Sequence, residues 1–145
     1  MRVGIGSDHA GFDLKVFLAA ALKKEGYEVV DYGINIKKSV DYPDFAVKLT
    51  AGIQAKEIGK GILICGTGIG MSIAANKFKG IRAARCCCIQ DACLARQHND
   101  ANVITLGGRL LGNDLAFEMV NVFLDTPFLK GRHLKRVNKI KSIDK

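Results

Sequence analysis

Three sets of residues in this chain have types and spacings that can do chemistry. The first is Cys65-Gly66-Thr67-Gly68-Ile69-Gly70-Met71, a thiol followed by glycines at alternate positions. A thiol acts as a base or nucleophile through its thiolate, which a helix N-terminus favours. Glycines let backbone approach a ligand, and the first amides of a helix are unpaired. Such a loop can aim several N–H groups at one oxyanion. The competing reading of Cys65 is a small buried residue ending a strand, and the local sequence leaves the two level. The second set is the histidines. His9 follows Asp8 in Ser7-Asp8-His9-Ala10-Gly11, His98 lies in Arg96-Gln97-His98-Asn99-Asp100, and His133 stands between Arg132 and Arg136. For any one histidine alone, a structural or surface role is the better expectation. The third set is Arg132 and Arg136, four residues apart, which on a helix converge on one group. Arginine's planar fork suits phosphate; the bland reading is a solvated basic face.

Other glycine patterns point away from nucleotides. Gly4-x-Gly6 would need its third glycine at position 9, which is His9, although Asp31 is an acid at the end of the second predicted strand. The loop after Cys65 lacks a P-loop lysine, because Lys77 comes too late. Neither a nicotinamide cofactor nor a nucleoside triphosphate is expected.

The elements that must hold these residues alternate. Strands are expected at Arg2–Gly6, Tyr27–Tyr32, Gly61–Cys65, Arg82–Cys87 and Asn102–Leu106. Helices are expected over Phe12–Lys24, from Asp41-Tyr42-Pro43-Asp44 towards Gly59, and over about Gly68–Phe78, Ile89–His98, Asp114–Leu124 and Gly131–Ile143. Leu14, Phe17, Leu18, Ala21 and Leu22 share one face of the first helix. Leu134 and Val137 lie almost opposite the arginine pair on the last helix, so this apolar seam is expected to dock. Strand–helix alternation implies an α/β fold, a three-layer Rossmann-like sandwich around a five-stranded parallel sheet. The expected order is 2-1-3-4-5, with a C-terminal helix added. No linker, repeat or low-complexity stretch divides residues 1–145, so one domain is expected. Strand one then neighbours strand three, and the Asp8-His9 and Cys65 turns lie side by side where such sheets bind ligands. His98, at a helix C-terminus, falls near the opposite edge, and a second subunit could bring it to a site.

Composition narrows the function classes. The 145 residues are 48% hydrophobic and 25% charged, as in ordinary soluble domains. No apolar run approaches the roughly 20 residues of a membrane span, and the N-terminus enters a strand directly, so a cytoplasmic protein without membrane partners is expected. Of the net charge of +8, most sits in residues 130–145. Aromatics are only 7% and are not interleaved with the basic residues, so no nucleic-acid partner is expected. Five cysteines, four of them between Cys86 and Cys93, make neither a disulfide framework nor a metal-ligand spacing. Cys86, Cys87, Cys88 and Cys93 read as reduced, core-filling thiols, and no metal is expected.

The motifs together carry a resemblance. Gly6-Ser7-Asp8-His9-Ala10-Gly11, Asp41-Tyr42-Pro43, Cys65 through Lys77, Gly80-Ile81-Arg82-Ala83, Arg96 through Asp100 and Gly131-Arg132-His133-x-x-Arg136-Val137 run in order over nearly the whole chain. In this the chain closely resembles the ribose-5-phosphate isomerase type B family, which includes galactose-6-phosphate isomerase subunits. The resemblance implies reversible conversion of ribose 5-phosphate to ribulose 5-phosphate in the pentose phosphate pathway, through an enediolate and without metal or organic cofactor. It also implies a homodimer, able to pair into a tetramer, with each site built from both chains. Carried over by position, Cys65 is the base between C1 and C2 and Thr67 assists at the sugar oxygens. Amides of Gly66, Gly68, Ile69 and Gly70 hold the enediolate, and His98 opens the furanose ring. Asp8, Tyr42 and Asn99 bind hydroxyls; His9, Arg132 and Arg136 bind phosphate, with Arg109 as helper. One branch of the family uses a glutamate where Met71 stands here, so this chain looks like the cysteine branch. It departs at Cys87 and Gln90, where relatives often carry Ser/Thr and tyrosine, and at Lys130, where glycine is common. The rival readings are a hexose-6-phosphate (allose or galactose) isomerase, a non-catalytic phosphate-binding domain, and a thiol sensor built on Cys86–Cys93.

Overall fold

The computed structural model describes residues 1–145. The chain runs β1 (Arg2–Ser7), α1 (Phe12–Lys24), β2 (Glu28–Asp31), α2 (Tyr42–Gln54), β3 (Lys60–Cys65) and α3 (Ile69–Ala75). It continues through β4 (Ala83–Arg85), α4 (Ile89–Asn99), β5 (Val103–Gly107), α5 (Asn113–Asp125) and α6 (Arg132–Ile143). All four strand pairings are parallel. One face of the sheet packs against Leu14, Leu18 and Leu22 of α1, Ala92 and Ala95 of α4, and Met119, Val120 and Phe123 of α5. The other packs against Phe45, Ala46 and Leu49 of α2 and Met71 and Ala75 of α3. A fully buried Leu or Ile stabilises by about 1.5–3 kcal/mol, so these two layers hold the sheet. No helix is long and apolar enough to cross a membrane.

The strand order is β2-β1-β3-β5-β4, not the expected 2-1-3-4-5. The reason lies in burial. Every residue of β5, Val103 to Gly107, is buried, as a strand covered on both faces and both sides must be. β4 shrinks to three residues and ends on the exposed Arg85, which suits an edge. The expected neighbourhood of β1 and β3 holds, with Ser7 in register with Ile64. The correction matters for function. With β5 beside β3, Cys65 pairs with Gly107, and the turn carrying Arg109 falls next to the Cys65 loop.

Two further expectations are corrected. Of the clustered cysteines only Cys86 fills the core; Cys87 and Cys88 are exposed and Cys93 is partly so. β4 ends before Cys87 and Cys88, and the turn into α4 carries these two outward, while Cys93 lies within α4. Burial pushes the Cys86 thiol up to about 12, with the nearby Asp91 adding to the shift. On α6, His133 and Val137 are buried whereas Leu134 is 42% exposed. The helix therefore docks by a seam rotated from the one its apolar residues suggested.

The loop from Gly33 to Asp41 is tied to the sheet beside the ligand edge. Lys15, 2% exposed, pairs with the Asp31 carboxylate at 2.7 Å and also donates to the Ile34 carbonyl. Ser7 N–H donates to the Gly33 carbonyl at 2.6 Å. These bonds fix where the loop leaves the sheet, and at its far end the Val40 N–H donates to His9 Nδ1 just before α2 and Tyr42.

Candidate active site

At the C-terminal ends of β1, β3 and β5 lies a cleft of about 500 Å³. Its walls include Asp8, His9, Tyr42, Cys65, Gly66, Thr67, Ile69, Gly70 and Arg109, together with Ala10 and Ile73. The sequence reading did not single out the last two.

Close backbone packing builds the floor. Gly108 N–H donates to the Cys65 carbonyl at 2.7 Å, and Arg109 N–H to the Gly66 carbonyl at 3.1 Å. Asp8 N–H reaches the Ile64 carbonyl at 3.2 Å. Gly68 has φ +78°, and a Cβ there would stand 3.0 Å from the Leu106 backbone, so the turn requires glycine. Gly70 has a different reason: a Cβ would meet the Tyr42 ring at 2.5 Å. Its lack of a side chain lets that ring lie over the loop.

The polar groups are oriented by bonds of their own. Cys65 is 4% exposed, and its Sγ accepts the Gly68 N–H at 3.2 Å. That bond becomes charge-assisted when the sulfur is a thiolate. Thr67 Oγ1 accepts the Ile69 N–H at 3.2 Å. The amides of Gly66, Thr67 and Gly70 donate to no acceptor in the chain, so three N–H groups remain for a ligand. Asp8 is held by the Gly11 N–H at 3.1 Å, and His9 Nδ1 accepts the Val40 N–H at 3.2 Å. A neutral His9 therefore carries its proton on Nε2, which is left free to donate. Arg109 Nη1 lies 3.2 Å from where a Gly66 side chain would begin, placing its charge at the loop.

His98, Asn99, Arg132 and Arg136 are not among the cleft residues. They gather where the C-terminus of α4 meets the N-terminus of α6, at the opposite edge of the sheet. The His98 and His133 rings stack, with centroids 4.2 Å apart and planes 11° from parallel. Burial, then the neighbouring His98, Arg132 and Arg136, lowers the His133 pKa from its usual value. Arg132 and Arg136 are exposed and pair with no acid. The chain thus presents two separate groups: a thiol cleft at one edge and a histidine–arginine cluster at the other. No group of three or more acidic, histidine or cysteine side chains is arranged to hold a metal ion.

Comparison with known proteins places this architecture. The Ribose/Galactose Isomerase family model matches residues 3–140. Ribose-5-phosphate isomerase B of Escherichia coli K12 is 44% identical over 143 residues, covering 99% of this chain and 96% of that protein. The structure of ribose-5-phosphate isomerase B from Clostridium thermocellum is 52% identical with a TM-score of 0.97, covering 99% of this chain and 97% of the other. The corresponding structure from Thermotoga maritima is 51% identical with a TM-score of 0.95, covering 97% of both chains. On this match of sequence and fold over almost the full length, the chain belongs to the ribose/galactose isomerase family of enzymes.

Proposed function

We propose that the protein interconverts D-ribose 5-phosphate and D-ribulose 5-phosphate, as a step of pentose phosphate metabolism. The observation that carries this reading is the cleft itself. It sets one thiol beside the hydroxyls of Thr67 and Tyr42, three unengaged amides and the cationic Arg109. Relatives named ribose-5-phosphate isomerase B, similar along almost the whole chain, support the choice of substrate.

Aldose–ketose exchange needs a base at a carbon acid and stabilisation of the charge that develops on oxygen. Cys65, as thiolate, takes the proton from C2 of the open-chain aldose. The electrons move into the carbonyl, forming an enediolate across C1 and C2. The free amides of Gly66, Thr67 and Gly70 hold its oxyanion, whereas those of Gly68 and Ile69, expected from the sequence to do so, are taken by Cys65 Sγ and Thr67 Oγ1. Thr67 shuttles the proton between O1 and O2, and Cys65 returns its proton to C1. Asp8, Tyr42 and Asn99 bind the hydroxyls. His9, Arg132 and Arg136, with Arg109, hold the phosphate away from the reacting carbons, where it contributes orientation. Only the open-chain sugar reacts, so His98 protonates the ring oxygen as the C1–O4 bond breaks, and the C1 hydroxyl gives up its proton to water to become the aldehyde.

His98, Asn99, Arg132 and Arg136 serve this reaction from a second copy of the chain. Two copies related by a two-fold axis would bring each far-edge cluster to the other's cleft, making two equivalent sites.

Initial rates on ribose 5-phosphate and on allose and galactose 6-phosphates, with and without a chelator, test the reading. The expected result is chelator-insensitive turnover, fastest on the pentose. Turnover of a hexose phosphate alone would move the protein to the six-carbon branch. Binding without turnover of any sugar would make it a phosphate-ligand protein.

A further inference from the structure

Two successive peptide units of the glycine loop are gripped at both ends. In the unit joining Thr67 to Gly68, the carbonyl oxygen accepts from Arg85 Nε at 2.9 Å. The N–H of the same unit donates to Cys65 Sγ at 3.2 Å. In the next unit, joining Gly68 to Ile69, the carbonyl accepts from the buried Thr105 Oγ1 at 2.8 Å. Its N–H donates to Thr67 Oγ1 at 3.2 Å. Both grips come from one rung of the sheet, because Arg85 of β4 and Thr105 of β5 are partners in register. Residues paired in this way raise their side chains on the same face.

A trans peptide is rigid and planar, and its C=O and N–H point in opposite directions. Fixing the carbonyl therefore fixes the line of the N–H. Hydrogen bonds joined through a peptide also polarise one another, and a cationic donor at one end strengthens the far end. Arg85 is exposed, closes an edge strand and pairs with no acid. Packing of the sheet does not call for an arginine there. Its side-chain bond goes to the one carbonyl whose peptide caps the thiol.

We propose that Arg85 is a positioning residue for Cys65, acting through the Thr67–Gly68 peptide, with Thr105 acting likewise on Thr67 through the next peptide. The catalytic consequence rests on Cys65 being the base; the effect on the thiol itself does not. Arg85 aligns the amide that receives charge on the sulfur, and Thr105 aligns the amide that orients the hydroxyl. Neither needs to touch the sugar.

The test uses the full-length protein and its Arg85→Met, Arg85→Lys and Thr105→Val variants. Alkylation of Cys65 by iodoacetamide is followed by peptide mass spectrometry, which separates it from Cys87, Cys88 and Cys93. The constants kcat and KM for ribose 5-phosphate are measured alongside. Losing one such bond is expected to slow both Cys65 alkylation and kcat by about three- to tenfold in Arg85→Met, with KM little changed. Arg85→Lys, which keeps a cationic donor, should recover most of both. Thr105→Val should lower kcat while leaving Cys65 alkylation near its original rate. Unchanged alkylation in Arg85→Met overturns the proposal. A rise in KM with alkylation unchanged also overturns it, because Arg85 would then be a substrate contact. If Cys65→Ala keeps its activity, the base assignment fails on its own, and the alkylation comparison still decides the role of Arg85.

Discussion

Cys65→Ala is expected to lower kcat for ribose 5-phosphate by roughly 10²–10⁴-fold, the usual contribution of a positioned base. The substitution removes a sulfur that is 4% exposed and accepts a single amide. Alanine fits the space, and the backbone bonds from Gly108 and Arg109 that hold the loop do not involve the side chain. The cleft should therefore keep its shape. A phosphate-bearing inhibitor should bind within a few-fold of its original affinity, since in the proposed site its phosphate is met by His9 and arginines and not by Cys65. Loss of rate without loss of binding is the signature of an interaction made in the transition state. Near-normal turnover would remove Cys65 from the role of base. Met71 could not replace it, because a thioether has no proton-accepting capacity suited to the task.

His98→Asn should lower turnover of ribose 5-phosphate by about 10²-fold or more, as loss of a general acid does. The loss should be smaller for ribulose 5-phosphate, which enters as an open chain; equal losses would count against ring opening. The position of His98 makes a second consequence. It stacks on His133 at the sheet edge opposite Cys65, so it cannot serve the cleft of its own chain. On the proposed two-fold dimer, co-expressing Cys65→Ala with His98→Asn should yield mixed dimers in which one site carries both lesions and the other carries neither. Random pairing should then restore about a quarter of wild-type activity, from two nearly inactive variants. Mixtures no more active than their parents would mean that the two half-sites are not exchanged between chains.

The parts of this site that lie close together in sequence are the parts the sequence makes legible. The run from Cys65 to Gly70 carries its own thiol, hydroxyl, amides and glycine-dependent turn. The bounds of α1 follow from its spacing of Leu14, Leu18 and Leu22 and agree with the structure. The far-edge position of His98 also follows, because a helix between parallel strands must end where the next strand begins. What depends on strand order is hidden. Interchanging β4 and β5 leaves local patterns almost unchanged, yet decides whether Arg109 lies beside the thiol loop. The contrast between Val103-Ile104-Thr105-Leu106 and Arg82-Ala83-Ala84-Arg85 holds the signal, since only the first run suits burial on every side. Arg85 and Thr105 are less visible still. Their reach to the carbonyls of Thr67 and Gly68 exists only through the register of β4 on β5 and of β5 on β3.

Isotope exchange reads proton transfer at the Cys65 cleft directly. Ribose 5-phosphate is incubated with the protein in D2O and followed by NMR, with Cys65→Ala in parallel. Conversion to ribulose 5-phosphate is expected, with deuterium entering C1 through exchange of the Cys65 thiol proton with D2O during the life of the enediolate, and with neither conversion nor label in the variant. No conversion by the wild-type protein, or equal labelling by Cys65→Ala, would contradict it.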